Sequence, residues 1–205
     1  MKDGDNQDKR HVKLMLEKEL GINIRLEKEF CESCVYGKTH RLPFGHRDRA
    51  SKAGELVSAD VCGPFQESFQ KNRYLIVFKD NYTKFRYGYV VKEKLEVKDV
   101  LKHVIKHAKT LGHSIKELLS DNGGEFDNKD VREILCAEGI TQRLTAPYTP
   151  EQNSGSEREM RTIVEMARTF KYSNPEASFP TAMWAELVRT AVYILNRAGK
   201  SSVEG

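Results

Sequence analysis

Three acidic residues occupy positions from which side chains can converge in an α/β fold. Asp60 lies inside an apolar run, Asp121 ends another, and Glu157 falls where a helical pattern begins. Each alone has an ordinary explanation: a solvated strand residue, a turn residue before Asn-Gly-Gly, or an acid near a helix N-terminus. Brought together, the three carboxylates would repel one another and would need compensating cations. Such a set of oxygen ligands suits Mg²⁺ or Mn²⁺.

Two divalent cations about 3.5–4 Å apart can activate an attacking oxygen and stabilise the leaving oxygen in phosphoryl transfer. We therefore predict that Asp60 is the shared ligand of two metal ions. Asp121 and Glu157 would each complete the shell of one ion. The predicted chemistry is metal-dependent phosphoryl transfer.

Strand and helix patterns that could position these acids alternate along residues 54–205. Apolar and β-branched runs predict strands at 55–65, 73–81, 84–92, 115–121 and 140–146. Apolar residues at helical spacing predict helices at 97–108, 127–139, 156–170 and 179–199. An antiparallel meander followed by strand–helix crossovers indicates a mixed five-stranded sheet with helices on its faces. Residues 147–155 contain two prolines and are interpreted as a mobile loop.

The helix that would carry Glu157 also bears basic residues. At about 100° per residue, Glu157, Arg161 and Arg168 fall on one stripe beside the apolar face. Arg161 could hold a phosphate next to the metal ions, or it could form an ordinary surface ion pair with Glu157. Asn122 and Gln152 are candidates for polar contacts with the substrate, against simple turn roles.

The cysteines divide into a close pair and two isolated residues. Cys31 and Cys34 have the spacing of a zinc knuckle, although a pair is only half of a zinc site. Cys62 and Cys136 are predicted to pack as small apolar residues.

Composition narrows the function only slightly. With 34 basic and 30 acidic residues, the formal net charge of +4 gives weak support for an acidic partner such as nucleic acid. The first residues contain no apolar run, and no stretch approaches the roughly 18 apolar residues of a membrane span. We therefore expect an intracellular, soluble chain with no membrane partner, in a reducing compartment.

Four segments together resemble the integrase core of copia-type retrotransposons, which is related to retroviral integrases. They are SADVCGPF, LLSDNGGEF, TAPYTPEQNSGSER and RTIVEMAR, and 35 residues separate Asp121 from Glu157, as is characteristic of that superfamily. The resemblance runs from about Cys31 to about Gly199. It implies an RNase H-like α/β fold, two-metal catalysis, 3′-end processing and insertion of element DNA into a target duplex.

The same resemblance implies partners and a location. The partners would be the element DNA ends and the target duplex, bound by a homo-oligomer. The candidate nucleic-acid-binding residues are Asn122, Gln152, Arg158, Arg161 and Arg168. Action on chromosomal DNA would place the protein in the nucleus, with a cytoplasmic virus-like particle as the alternative.

The family pattern also bears on the N-terminal segment. CESCVYGKTHRLPF matches a knuckle that two histidines precede in the family, and His11 corresponds to the second of them. The first would fall near Asn6, where this chain has no histidine. Zinc held by His11, Cys31 and Cys34 is one hypothesis, with His40 or His46 as a substitute for the missing histidine at a spacing that is not the family's. Free knuckle cysteines are the other hypothesis. The predicted domains are an incomplete zinc-knuckle-like segment at 1–50 and an integrase catalytic core at 54–205.

Several positions depart from the family pattern: residues 80–81, 153–156 and 159–160, where Glu159-Met160 replaces a basic and amide pair. None of these departures removes a catalytic carboxylate. Two functions therefore stay open: a polynucleotidyl transferase, or a catalytically decayed fragment that acts at most as a nucleic-acid-binding remnant. A third interpretation is another RNase H-like enzyme, a nuclease or DDE transposase, against which the upstream cysteine pair argues.

Overall fold

The structure is a computed structural model. It describes residues 7–23, 50–145, 150–173 and 179–198, with side chains from residue 13 in the first range and from residue 155 in the third. The chain divides into two compact units, residues 1–46 and 47–205. The described part of the first unit contains helix α1 (Gln7–Leu20), which the sequence patterns did not predict. In these ranges no helix has both the length and the apolar character that crossing a membrane requires.

A five-stranded mixed sheet forms the centre of the second unit. Its strands are β1 (Leu56–Cys62), β2 (Tyr74–Asp80), β3 (Arg86–Val91), β4 (Glu117–Ser120) and β5 (Thr141–Leu144). The spatial order is β3-β2-β1-β4-β5. β1, β2 and β3 pair antiparallel, whereas β4 pairs parallel with both β1 and β5. The predicted meander, crossovers and mixed sheet are confirmed.

In the described part of the second unit, four helices accompany this sheet. They are α2 (Val97–Thr110), α3 (Lys129–Ala137), α4 (Pro150–Tyr172) and α5 (Trp184–Ala198), with short 3₁₀ turns at Lys94–Glu96 and Thr181–Met183. α5 begins later than predicted because the 3₁₀ turn precedes it. The four predicted helices are present, and the earlier start of α4 changes the position of a site residue within its helix.

The predicted loop at 147–155 is wrong from Pro150 onward, because α4 begins there. A proline at the first helical position lacks only an N–H that would have no partner in the helix anyway, and its fixed φ suits the helix. Glu157 is consequently the eighth residue of α4 and does not lie in its first turn. The explanation of Glu157 as an acid at a helix N-terminus is therefore wrong as well.

Side-chain alternation along the strands produces two separate apolar layers. One layer joins strand residues to α2 and α3, and includes Val57, Ala59, Ile76, Phe78, Leu101, Val104, Val131 and Leu135. The other joins strand residues to α4 and α5, and includes Leu75, Val77, Met160, Ile163, Val188, Ala191 and Val192. Since Val57 and Ala59 face α2 and α3, Ser58 and Asp60 of β1 face α4.

α5 packs against β3 at very short range. A Cβ placed on Gly88 of β3 would lie 2.8 Å from Cγ2 of Val192. Next to this contact, the backbone N–H of Arg86 donates to Oδ1 of Asn196 at 2.9 Å, and Nδ2 of Asn196 donates to the Arg86 carbonyl at 2.8 Å. β3 and α5 therefore form a closely fitted pair.

The early start of α4 leads to a testable prediction at Gly155, where nothing lies within 4 Å of the position that a Cβ would take. Because glycine is a weak helix former, Gly155→Ala should raise the free energy of unfolding by roughly 0.5–1 kcal/mol. Gly88→Ala is the matched control, and it should lower that free energy by about 1–3 kcal/mol through overpacking against Val192. Urea denaturation measures both. A neutral Gly155→Ala variant would contradict a helix that includes this residue.

Candidate active site

Asp60 and Asp121 are carried by neighbouring parallel strands. The register pairs Ser58 of β1 with Leu119 of β4, and two residues further along each strand lie Asp60 and Asp121. Asp60 is inside β1, and Asp121 follows β4 directly. The chain thus brings these two acids together near the carboxyl ends of adjacent parallel strands, beside the face that α4 covers.

The electrostatics of Asp60 link it to the other acids. The pKa of Asp60 is raised to about 6, chiefly by burial and also by the negative charges of Asp121, Glu157 and Glu125, against a backbone hydrogen bond that lowers it. That bond is the Val61 N–H donating to Oδ1 of Asp60 at 2.9 Å. Glu157 is exposed on α4. Both other predicted carboxylates therefore lie within electrostatic reach of Asp60.

The acids do not form a ready metal cage. Among the described residues, no group of three or more His, Cys, Asp or Glu side chains is arranged to hold a metal ion. Their chemistry nevertheless fits a divalent cation, since the ligand atoms are all carboxylate oxygens. A cation bound there would relieve the repulsion that contributes to the raised pKa of Asp60.

Glu125 is a further acid of this site that the sequence patterns did not single out. A Cβ on Gly123 would lie 2.7 Å from Oε2 of Glu125 and 3.0 Å from Oδ1 of Asp121, so both carboxylates flank this glycine. Oδ1 of Asp121 also accepts the Gly123 N–H at 3.1 Å. Nζ of Lys94 donates to Oε1 of Glu125 at 3.0 Å. Asp121 thus has its predicted turn role and also belongs to the acidic group.

Glu159, named from the sequence only as a departure from the family pattern, also takes part in the site. Its carboxylate is buried on α4, where Oε2 accepts from Lys79 and Oε1 accepts from Arg86. Burial would raise the pKa of Glu159, but the hydrogen bonds from Arg86 and Lys79 outweigh it and hold the pKa below its usual value. Glu159, Lys79, Ser156 and Asp60 help to line a small cavity of about 50 Å³.

The predicted DNA-contacting residues are on the surface where they are described. Asn122 is exposed next to Asp121, and Arg158, Arg161 and Arg168 are exposed on α4. Gln152 belongs to α4, and its side chain lies outside the described residues.

The zinc hypothesis concerns parts of the chain that are not described. Cys31 and Cys34 lie outside the described residues, and His11 belongs to α1 with its side chain outside them. Of the other cysteines, Cys62 is half-buried, and burial followed by the charge of Asp60 raises its pKa. Cys136 is exposed, so its predicted packing is wrong. It follows the inward-facing Leu135 on α3 and is turned away from the sheet.

Solved structures share this architecture. One is the intasome of simian T-cell lymphotropic virus in complex with a PP2A regulatory subunit, with a TM-score of 0.64 and 19% identity, covering 82% of this chain and 57% of that chain. Another is the HTLV-2 integrase catalytic core domain in complex with magnesium, in its dimeric form. Its TM-score is 0.54 at 16% identity, and it covers 75% of this chain and 97% of that chain. The fold is that of an integrase catalytic core, of the RNase H-like α/β class.

Sequence comparison places the chain within a family. Residues 50–150 match the family described as integrase core domain. The Retrovirus-related Pol polyprotein from transposon TNT 1-94 of Nicotiana tabacum is 37% identical over 172 residues, which cover 82% of this chain. This chain spans 13% of the length of that relative. The chain belongs to the integrase core family, alongside the Pol polyproteins of plant copia-type retrotransposons.

The raised pKa of Asp60 predicts a pH-dependent stability. Below the unfolded value of 3.8 Asp60 is protonated in both states, whereas above about 6 the folded state bears the full penalty of the buried charge. Asp60→Asn removes this penalty, so it should stabilise the metal-free protein at pH 7.5 by about 1–2 kcal/mol after solvent screening. The gain should be much smaller near pH 4, where the folded state is protonated and the unfolded state is only partly ionised. Urea denaturation at both pH values measures it, and an equal effect at the two would contradict the assigned environment.

Proposed function

We propose that this chain is the catalytic core of a metal-dependent polynucleotidyl transferase that joins retrotransposon DNA ends to target DNA. Integrase cores are of the polynucleotidyl transferase type, and their general role is DNA integration. The observation that carries the proposal is the environment of Asp60. A half-buried strand carboxylate whose pKa is raised by burial and by the charges of Asp121 and Glu157 is expected where acids are collected to bind cations.

Asp60, Asp121 and Glu157 would hold two Mg²⁺ or Mn²⁺ ions. When bound, such ions activate the attacking oxygen and stabilise the leaving oxygen in phosphoryl transfer. The chain itself orients two of the ligands: the Val61 N–H donates to Asp60 and the Gly123 N–H donates to Asp121. A neighbouring integrase core solved in complex with magnesium supports the same choice of cation.

DNA is the proposed partner, contacted by Asn122, Gln152, Arg158, Arg161 and Arg168. The exposure of the three arginines on the helix that bears Glu157 supports this role. Two solved neighbours, an intasome and a dimeric integrase core, support a homo-oligomer acting on DNA. The proposed location is the nucleus, where chromosomal target DNA is found.

We also propose that residues 1–50 form a zinc-knuckle-like segment ahead of the catalytic core at 54–205. Zinc would be held by His11, Cys31 and Cys34, because one histidine and two cysteines are suitable zinc ligands. Zinc content of the purified chain, measured before and after replacing both cysteines by serine, tests this part.

The proposed transfer reaction is tested with Asp121→Asn. We expect this variant to abolish strand joining between oligonucleotide duplexes with Mg²⁺ or Mn²⁺, while its melting temperature stays close to that of the unmodified chain. The control is Asp130→Asn, an exposed acid of α3 paired with Lys98, which should keep full activity. An active Asp121→Asn variant would show that the metal assignment is wrong. Undiminished DNA binding by an unmodified chain that joins no strands would favour the non-catalytic remnant.

The DNA contacts of α4 are tested with Arg161→Ala. Removal of one phosphate contact should weaken duplex binding for all sequences and should reduce the salt dependence of the binding constant by about one unit of slope. Arg132→Ala provides the control, because Arg132 is exposed on α3, which packs on the opposite face of the sheet. Fluorescence anisotropy at several salt concentrations measures both variants. Equal salt slopes for the two would remove Arg161 from the proposed interface.

A further inference from the structure

A largely buried ion network sits two residues after Glu157. Its acid is Glu159, whose side chain is 8% exposed, and its cations are Arg86 at 10% and Lys79 at 20%. Each carboxylate oxygen has its own partner, since Oε2 accepts from Lys79 and Oε1 accepts from Arg86. Loss of one member from such a network leaves an uncompensated buried charge, which is strongly unfavourable.

Arg86 gives Glu159 a fixed point of attachment. One guanidinium nitrogen donates to the carbonyl oxygens of Lys84 at 3.0 Å and Leu195 at 3.2 Å, while the Arg86 backbone exchanges two hydrogen bonds with Asn196. The Glu159 contact therefore ties α4 to the closely packed pair of β3 and α5.

Through its contact with Lys79, Glu159 also affects Asp60 of β1. Asp60 pairs with Val77 and Ser58 pairs with Lys79, so Asp60 and Lys79 are diagonal neighbours on the same face of the sheet. Such neighbours are about 7–8 Å apart, within reach of a lysine side chain. Both line the same cavity. An ammonium group released from Glu159 would pair with Asp60 and compete with a metal cation there.

We propose that Glu159 is a positioning residue that fixes the part of α4 bearing Glu157 over β1 and holds the Lys79 ammonium away from Asp60. The effect on metal binding rests on the proposed function. An acid at this position departs from the family pattern. It is nevertheless compatible with the site, because Lys79 and Arg86 compensate its charge.

The test is Mn²⁺ binding to the full chain, measured by titration calorimetry at one pH. Glu159→Gln frees Lys79 and should weaken Mn²⁺ binding about tenfold, as the loss of outer-shell partners typically does. The double variant Lys79→Met/Glu159→Gln contains no free ammonium but still lacks the contact between Glu159 and Arg86. Its affinity should therefore recover most of the loss, to within about threefold of the unmodified chain. The control Glu138→Gln breaks the exposed Lys109–Glu138 pair and should leave Mn²⁺ binding unchanged.

A second measurement, made without metal, reports the anchoring of α4. Amide hydrogen exchange across residues 156–163 should be faster in Glu159→Gln and in the double variant, and unchanged in Lys79→Met, which keeps the contact between Glu159 and Arg86. If Glu159→Gln does not fold, Lys79→Met carries the test, because it keeps the pair of Glu159 with Arg86 and leaves no buried charge without a partner. Changed exchange or changed Mn²⁺ binding in that variant would contradict the proposal.

The outcomes separate this proposal from the proposed function. If Glu159→Gln binds Mn²⁺ like the unmodified chain, or if the double variant binds as weakly as Glu159→Gln, the role given to Lys79 is wrong. Unchanged exchange in the double variant overturns the anchoring role. Full Mn²⁺ binding by Asp60→Asn would instead overturn the metal assignment. In that case the hydrogen-exchange measurement would still test whether Glu159 anchors α4.

Discussion

Repulsion between carboxylates is the constraint that organises this protein. Asp60 is half-buried in a central strand, and its pKa is raised first by that burial and then by the negative charges of Asp121, Glu157 and Glu125. A chain can hold like charges together only if the surrounding structure is stiff enough to resist their separation. The sheet supplies that stiffness for Asp60 and Asp121, because adjacent parallel strands carry them. Glu157 arrives on a helix and depends on how firmly that helix is attached.

Opposite charges are distributed so that they support the cluster without neutralising its central acid. Lys94 pairs with Glu125 at the outer side, where its own side chain is 44% exposed. Lys79 and Arg86 are both engaged by Glu159 on the inner side. These pairs hold the lysines and Arg86 close to the acidic cluster. The Asp60 carboxylate accepts a hydrogen bond from the backbone instead. Among the described residues, Asp60 therefore keeps a carboxylate that forms no ion pair with a basic side chain.

The sequence predicts the sheet and the position of two acids well, because both depend on local patterns. Asp60 lies in an apolar strand run, and Asp121 stands where another run meets Asn-Gly-Gly. The start of α4 is predicted wrongly, since Pro150 is equally compatible with a loop and with the first turn of a helix. The partners of Glu159 could not be predicted from local patterns, because Lys79 lies 80 positions earlier in the chain. The position of Glu125 could not be predicted from local patterns either. Its carboxylate lies close to the backbone of Gly123, which is possible only because that residue has no side chain.

The length of α4 has a consequence for any duplex that lies along it. At 1.5 Å per residue, its 23 residues extend over about 34 Å. Along the axis, Arg161 stands roughly 6 Å from Glu157 and Arg168 roughly 16 Å from it. Because α4 is unbroken, the axial spacing between Glu157 and the two arginines cannot change unless the helix bends. A nucleic-acid backbone bound by Arg161 and Arg168 would therefore be held at a fixed position along the helix relative to Glu157.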